Sequence, residues 1–260
     1  MKQPIGVFDS GIGGLSVLRE IRALLPQEDL LYVADSGFAP YGHRSAEFIV
    51  QRSLHITRFL IARNAKAIVV ACNTATAAAV ATLRDEFSIP IFGMEPGIKP
   101  AAAVSRSKII GVLATESTLN SDRFSALLTR TTEGMEIIVQ PCPGLVEQIE
   151  MGDFKGLVTH ALVTRFVEPL LAKGVDTLVL GCTHYPLLCP LIAQITGPVV
   201  QIIDTGPAVA RHLRDRLVDS ALYSDGELPG KAAFWTSGSP AELQPVTATV
   251  WGQAVEIARI

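Results

Sequence analysis

No stretch of this chain stays apolar for the roughly 18 residues that a membrane-spanning helix requires, and "MKQPIGVFDSG" runs from Lys2 into a strand without the apolar segment of an export signal. No membrane partner is expected, and the cytoplasm is the expected location. A basic surface is missing too. The 22 Lys and Arg against 25 Asp and Glu leave a net charge of −3, and the cations are scattered, so nothing is built to neutralise a phosphate backbone. Nucleic acid is excluded as a partner. Cysteine is scarce: Cys72, Cys142, Cys182 and Cys189 form no C-x-x-C pair, and the one close histidine, His184, stands beside a single cysteine. That pattern speaks against a disulfide framework and against a metal site, and the four read as free thiols in a reducing compartment.

What is present is apolar bulk in a regular order. At 260 residues and 48% hydrophobic, the chain can bury one large core or two small ones. Short runs rich in Val and Ile alternate with longer stretches of helical period, which is the pattern of a βα repeat with a parallel sheet. Strands are expected at "IGVFD", "LLYVAD", "AIVVAC", "IIGVLA", "EIIVQ", "DTLVLGC" and "VVQIID", and helices at "AEFIVQRSLHITRFLIARN" and "KGLVTHALVTRFVEPLLAKG". The chain also matches itself: "IGVFDSG" is echoed by "IGVLATES", and "AIVVACNTAT" by "TLVLGCTHYP". A duplicated α/β unit follows, giving two similar lobes that first cross near "PGIKPA". The tail after Asp204 is expected back on the first lobe.

Ligands of open parallel sheets sit outside the carboxyl ends of the strands, where Cys72 and Cys182 both fall. "CNTAT" opens a helix, which brings backbone N–H groups and a positive dipole end to the Cys72 thiol, and "CTHYP" is expected to give Cys182 the same setting with His184 added. A single such cysteine reads as a small core residue. Two at matching places of a repeat read as chemistry, whereas Cys142 and Cys189 lack polar neighbours of that kind and read as packing. Two thiols on two lobes suit removal of a proton from one face of a carbon acid and its return to the other, the work of a racemase or epimerase. Asp9 beside Cys72 and His184 beside Cys182 would orient each thiol or share its proton. The rival is a dinucleotide site, since "GIGGLS" nearly fits G-x-G-x-x-G and Asp35 stands where a ribose ligand would. Ser16 replaces the last glycine, however, and Asp9 would repel a pyrophosphate.

The stretches "FDSGIGGLSVLREI", "YVADSGFAPYG", "VVACNTATA" and "LGCTHYPLL", with "IDTGPAVA" further on, resemble the motifs of the bacterial glutamate racemases, in the cofactor-independent aspartate/glutamate racemase superfamily. The resemblance implies interconversion of L- and D-glutamate by two bases, with no cofactor and no metal, supplying D-glutamate for peptidoglycan. It places the catalytic cysteines on Cys72 and Cys182 and the assisting groups on Asp9 and His184. A further glutamate falls on Glu150 of "QIEMG", with Glu147 close by. Substrate contacts fall on Ser10, on Pro40, Tyr41 and Gly42, on Asn73 and Thr74, on Thr115 and Thr118, and on Thr183. The implied fold is a pair of parallel-sheet α/β lobes related by a pseudo-two-fold with the site between them, residues 1–97 plus 207–260 in one and 98–206 in the other. Homodimers are common in the family. A racemase of aspartate or another small acid is the alternative, because one methylene changes pocket affinity by only about 1–3 kcal/mol. A related decarboxylase would need one cysteine alone, and a non-catalytic binding protein would need neither.

Overall fold

Continuous apolar runs become parallel strands when helices cover both faces of the sheet, since no position along such a strand then has to face water. The computed structural model describes residues 3–131, 134–226 and 228–260. The chain divides into two units, Met1–Met94 with Gly206–Ile260, and Glu95–Thr205. In the first unit lie β1 (Ile5–Asp9), β2 (Leu30–Ala34), β3 (Ala67–Val70) and β4 (Ile91–Phe92). In the second lie β5 (Ile109–Ala114), β6 (Glu136–Pro141), β7 (Thr177–Leu180) and β8 (Gln201–Ile203), and the chain then adds β9 (Ala232–Thr236) and β10 (Ile257–Arg259) to the first. Every pairing is parallel. All residues of β1, β3 and β7 are buried.

The two sheets share one winding. The first runs β10-β9-β2-β1-β3-β4 and the second β6-β5-β7-β8, so in both the opening strand lies between the second and the third. Winding therefore reverses between β1 and β3 in one unit and between β5 and β7 in the other, and such a reversal opens a crevice at the carboxyl ends. The self-similar stretches occupy equivalent strands. "IGVFD" is β1 and "IIGVLA" is β5, while the two cysteine motifs follow β3 and β7.

The helix expected at "AEFIVQRSLHITRFLIARN" spans Ala46–Ile61, opened by Ser45, whose hydroxyl accepts from the Phe48 N–H at 3.2 Å. Its Ile49, Leu54, Ile56 and Leu60 pack with Val33, Ile68 and Val70. Each such side chain contributes about 1.5–3 kcal/mol by leaving water. The stretch "KGLVTHALVTRFVEPLLAKG" forms Leu157–Leu171. Three strands carry no signal in the sequence pattern. Strand β4 has only two residues, β9 reads "AAFWT" with alanines at its start, and β10 is largely exposed. Their conformation comes from a parallel neighbour: β9 lies against β2 from Leu30↔Ala232 to Ala34↔Thr236.

An ion pair inside the first unit ties the late segment to the early one. Glu28 and Lys66 are both buried, and Lys66 Nζ donates to Glu28 Oε2 at 2.6 Å, to the Leu222 carbonyl at 2.6 Å and to Ser224 Oγ at 3.0 Å. Ser224 returns its N–H to Glu28 Oε1 at 2.8 Å. Removing one partner of a buried pair leaves the other charge without compensation. Lys66→Met is expected to cost about 3–5 kcal/mol in equilibrium urea unfolding. Arg214→Ala, at an exposed pair with Asp215, is expected to cost under about 1 kcal/mol. Equal costs for the two substitutions would contradict this account.

Candidate active site

In the first unit the carboxyl ends of β1 and β3 hold a thiol, a hydroxyl and a carboxylate in sequence. Cys72, next to the end of β3, is buried and is the N-cap of the helix Asn73–Glu86, and its Sγ accepts from the Ala75 N–H at 3.4 Å. The thiol lies 3.8 Å from Ser10 Oγ, and Ser10 Oγ lies 3.4 Å from Asp9 Oδ1. The other oxygen of Asp9 accepts from the Gly14 N–H at 2.7 Å, at the start of the helix Leu15–Leu24. The helix end is thus satisfied by a side chain of this protein. Any Cβ on Gly14 would sit 2.7 Å from Asp9 Cβ and 3.0 Å from the Tyr32 hydroxyl, which is why a glycine stands there. The phosphate-cradle reading fails on the same geometry, because Asp9 occupies the donor that a pyrophosphate would use.

Asp35, the rival's ribose ligand, is also engaged. It is fully buried, takes both arms of Arg52 at 2.7 and 2.9 Å, and accepts from the Tyr41 hydroxyl at 2.5 Å. Tyr41 begins the short turn Tyr41–His43 that follows Pro40 and contains Gly42, with its ring pointing inward. Burial first, then Asp35, pushes the Tyr41 phenol well above its ordinary value, so it stays protonated and donates. Asn73 is buried, and neither its amide oxygen nor its amide nitrogen has a partner among the described residues. Thr74 is buried beside it.

In the second unit the thiol is backed by an imidazole. Cys182 Sγ lies 3.7 Å from His184 Nδ1, and His184 Nε2 lies 2.6 Å from Glu150 Oε1. With the carboxylate on Nε2, the proton of a neutral ring is assigned there, and Nδ1 turns its lone pair toward the sulfur. Glu150 is the last residue of the helix Leu145–Glu150 and is the glutamate that meets His184. The expected helix cap at Cys182 is not formed. Pro186 has no N–H to return to the Cys182 carbonyl, so the Tyr185 N–H bonds there instead at 3.1 Å, and the chain makes a tight turn over Tyr185–Leu188. Thr183 is buried next to the thiol. Thr115 follows β5 and caps Glu116–Leu119, with its hydroxyl 3.0 Å from that of Thr118.

The sequence motifs thus condense into one cluster per unit: Asp9, Ser10, Cys72, Asn73 and Thr74 in the first, and Glu150, Cys182, Thr183 and His184 in the second. Reading the sequence missed the Asp35–Arg52–Tyr41 clamp, because Arg52 lies in the middle of the following helix and carries no motif.

The family model for Asp/Glu/Hydantoin racemase matches residues 5–213. The chain belongs to that family. It is 61% identical over 242 residues to the glutamate racemase of Methylococcus capsulatus, spanning 93% of this chain and 89% of that one. A glutamate racemase isoform from Bacillus anthracis superposes with a TM-score of 0.91 at 34% identity, covering 99% of this chain and 97% of that chain. The Escherichia coli glutamate racemase, solved with L-glutamate and the activator UDP-MurNAc-ala, gives 0.85 at 33% identity over 99% and 97%. The racemase is an isomerase that interconverts L- and D-glutamate.

The remaining two thiols are held in the protonated form by their surroundings. Burial pushes the Cys142 thiol up, and burial, followed by the Asp204 carboxylate, pushes that of Cys189 up to about 11. A raised thiol value means the reactive thiolate appears only as pH rises, and at pH 8 about one Cys189 in a thousand is ionised. Iodoacetamide at pH 8 is expected to leave Cys142 and Cys189 unlabelled in the native protein, as read by peptide mass spectrometry, with Cys189 labelling climbing toward pH 11. Labelling of Cys189 at pH 8 as fast as in unfolded protein would refute this.

Proposed function

We propose that glutamate is racemised by two opposed thiols, Cys72 and Cys182, with the two units acting as the two lobes of the site. The observation that carries the reading is the equivalence of the two positions. Each thiol follows the third strand of its sheet, and each is backed by a carboxylate, Asp9 through Ser10 and Glu150 through His184. For D-glutamate the Cys72 thiolate takes the α-proton and becomes a thiol. The resulting carbanion takes the proton of the Cys182 thiol on its other face, leaving L-glutamate and the Cys182 thiolate. For L-glutamate the two exchange roles. Asp9 and the His184–Glu150 pair hold or receive the thiol proton between turnovers.

The amide of Asn73, without a partner among the described residues, offers an acceptor oxygen and the two donors of its NH2, which complements an ammonium and a carboxylate on the same α-carbon. The buried hydroxyls of Ser10, Thr74, Thr118 and Thr183, with Thr115 and the turn at Pro40, Tyr41 and Gly42, supply neutral donors for the rest of the substrate. No cofactor or metal takes part in this scheme. The product supplies peptidoglycan precursors in the cytoplasm, and a second copy of the chain is the partner that the reading adds. No helix among the described residues is long and apolar enough to cross a membrane.

Turnover of L-glutamate in heavy water tests the assignment. A thiol that delivers a proton must first have exchanged with solvent, so early D-glutamate is expected to carry deuterium while unreacted L-glutamate does not. Cys72→Ser and Cys182→Ser are each expected to lower racemisation by at least about 10²-fold, the scale of a lost proton-transfer group. Deuterium appearing equally in recovered substrate and product would indicate one base serving both faces, and the two-thiol scheme would fall. Full activity after dialysis against a chelator, with no pyridoxal phosphate added, is expected alongside. In a separate measurement, Glu150→Gln is expected to slow turnover by about tenfold with an unchanged unfolding midpoint, because the amide cannot hold an imidazolium as the carboxylate does.

A further inference from the structure

Residues 36–43 form two short turns, Ser36–Phe38 and Tyr41–His43, with no strand pairing of their own. One guanidinium reaches both of them. Arg52, on the helix Ala46–Ile61, grips both oxygens of Asp35 at the start of the segment and lies over the Phe38 ring at 4.1 Å from its centroid. Through Asp35 it also reaches the middle, because the Tyr41 hydroxyl donates to the same carboxylate at 2.5 Å. From the other side, Ser237 Oγ accepts from the Gly37 N–H at 3.1 Å, and a Cβ on Gly37 would meet the Ser237 carbonyl at 2.8 Å. Tyr41 packs in the same apolar cluster as Cys72, and charge on that thiol acts on its phenol. The far end of the clamp therefore lies in the cluster that holds the Cys72 thiol.

We propose that Asp35 and Arg52 are positioning residues for substrate binding, acting through Tyr41 to fix the Pro40–Gly42 turn beside Cys72. This inference rests on the glutamate-racemase reading above, in which that turn contacts the substrate. A planar fork on a buried carboxylate sets both distance and orientation, and a lysine in its place keeps the charge and loses the orientation. Asp35 is fully buried, so its charge is tolerated only while Arg52 and Tyr41 are bonded to it. Loosening the clamp releases the turn without touching either thiol. The expected loss falls on ground-state and transition-state binding alike, which raises KM and spares kcat.

The test is steady-state racemisation in both directions by the full-length enzyme and its Arg52→Gln, Arg52→Lys and Tyr41→Phe variants, each checked for folding by thermal unfolding. Arg52→Gln is expected to raise KM for both enantiomers by about tenfold, with kcat within about threefold of the parent. Arg52→Lys is expected to fall between the two. Because the substrate and product are mirror images, kcat/KM must drop by one factor in both directions, which checks each data set internally. Tyr41→Phe keeps the ring and the Asp35–Arg52 pair and removes only the link between them. It is expected to raise KM as well, and it carries the test if Arg52→Gln does not fold. An unchanged KM in Tyr41→Phe, or a loss confined to kcat, would overturn the proposal. A parent enzyme with no activity on glutamate would instead sink the reading on which it rests.

Discussion

An all-parallel sheet with both faces covered can present polar chemistry only where its strands stop. That constraint organises both units of this chain. Strands β1, β3 and β7 are buried throughout, so a carboxylate or thiol on them must wait for the last residue or the loop beyond. Asp9 ends β1, Cys72 lies two residues beyond β3, Thr115 follows β5 directly, and Cys182 lies two residues beyond β7. Shared winding then makes these places equivalent, since each falls beside the reversal of its own sheet.

Equivalent placement did not produce identical support. At Cys72 the chain continues into a helix, and the sulfur receives an N–H of its first turn. At Cys182 a proline two residues past His184 denies the helix its first bond, and the local turn instead sets an imidazole beside the sulfur. The carboxylate behind each thiol differs accordingly. Asp9 comes from the neighbouring strand and also caps a helix, whereas Glu150 comes from the end of a separate helix and acts across a ring. One backbone design thus carries two different settings for a thiol, chosen by a few side chains in the first turn after the strand.

The sequence made the strands and the thiols legible because each is a local signal: an uninterrupted apolar run, or a cysteine repeated in register. Where a feature depends on a partner distant along the chain, the pattern was silent. Strand β9 is a strand because β2 offers an open edge, not because "AAFWT" insists on it. The choice between Glu147 and Glu150 turns on which one faces His184 across 34 residues, and the same-helix spacing of three leaves both open. Asp35 was visible only as a possible ribose ligand, since nothing in the spacing tells that Arg52 and Tyr41 already occupy it. Cys182 was misread as a helix cap because the weight of Pro186 on the missing hydrogen bond was not applied.

Arg52, partly buried behind the turn at Tyr41, is already committed to Asp35. That commitment bears on the proposed chemistry. A cation facing a thiolate stabilises its charge and so weakens it as a base, and the proton on the α-carbon of an amino acid is hard to remove. Holding the substrate carboxylates with backbone N–H groups, an amide and hydroxyls binds the anion without that penalty on the sulfur. The pairing of Arg52 with a buried aspartate therefore does two things at once: it gives the turn a rigid anchor, and it keeps a neutral pair, rather than a free guanidinium, behind the ring that packs near Cys72.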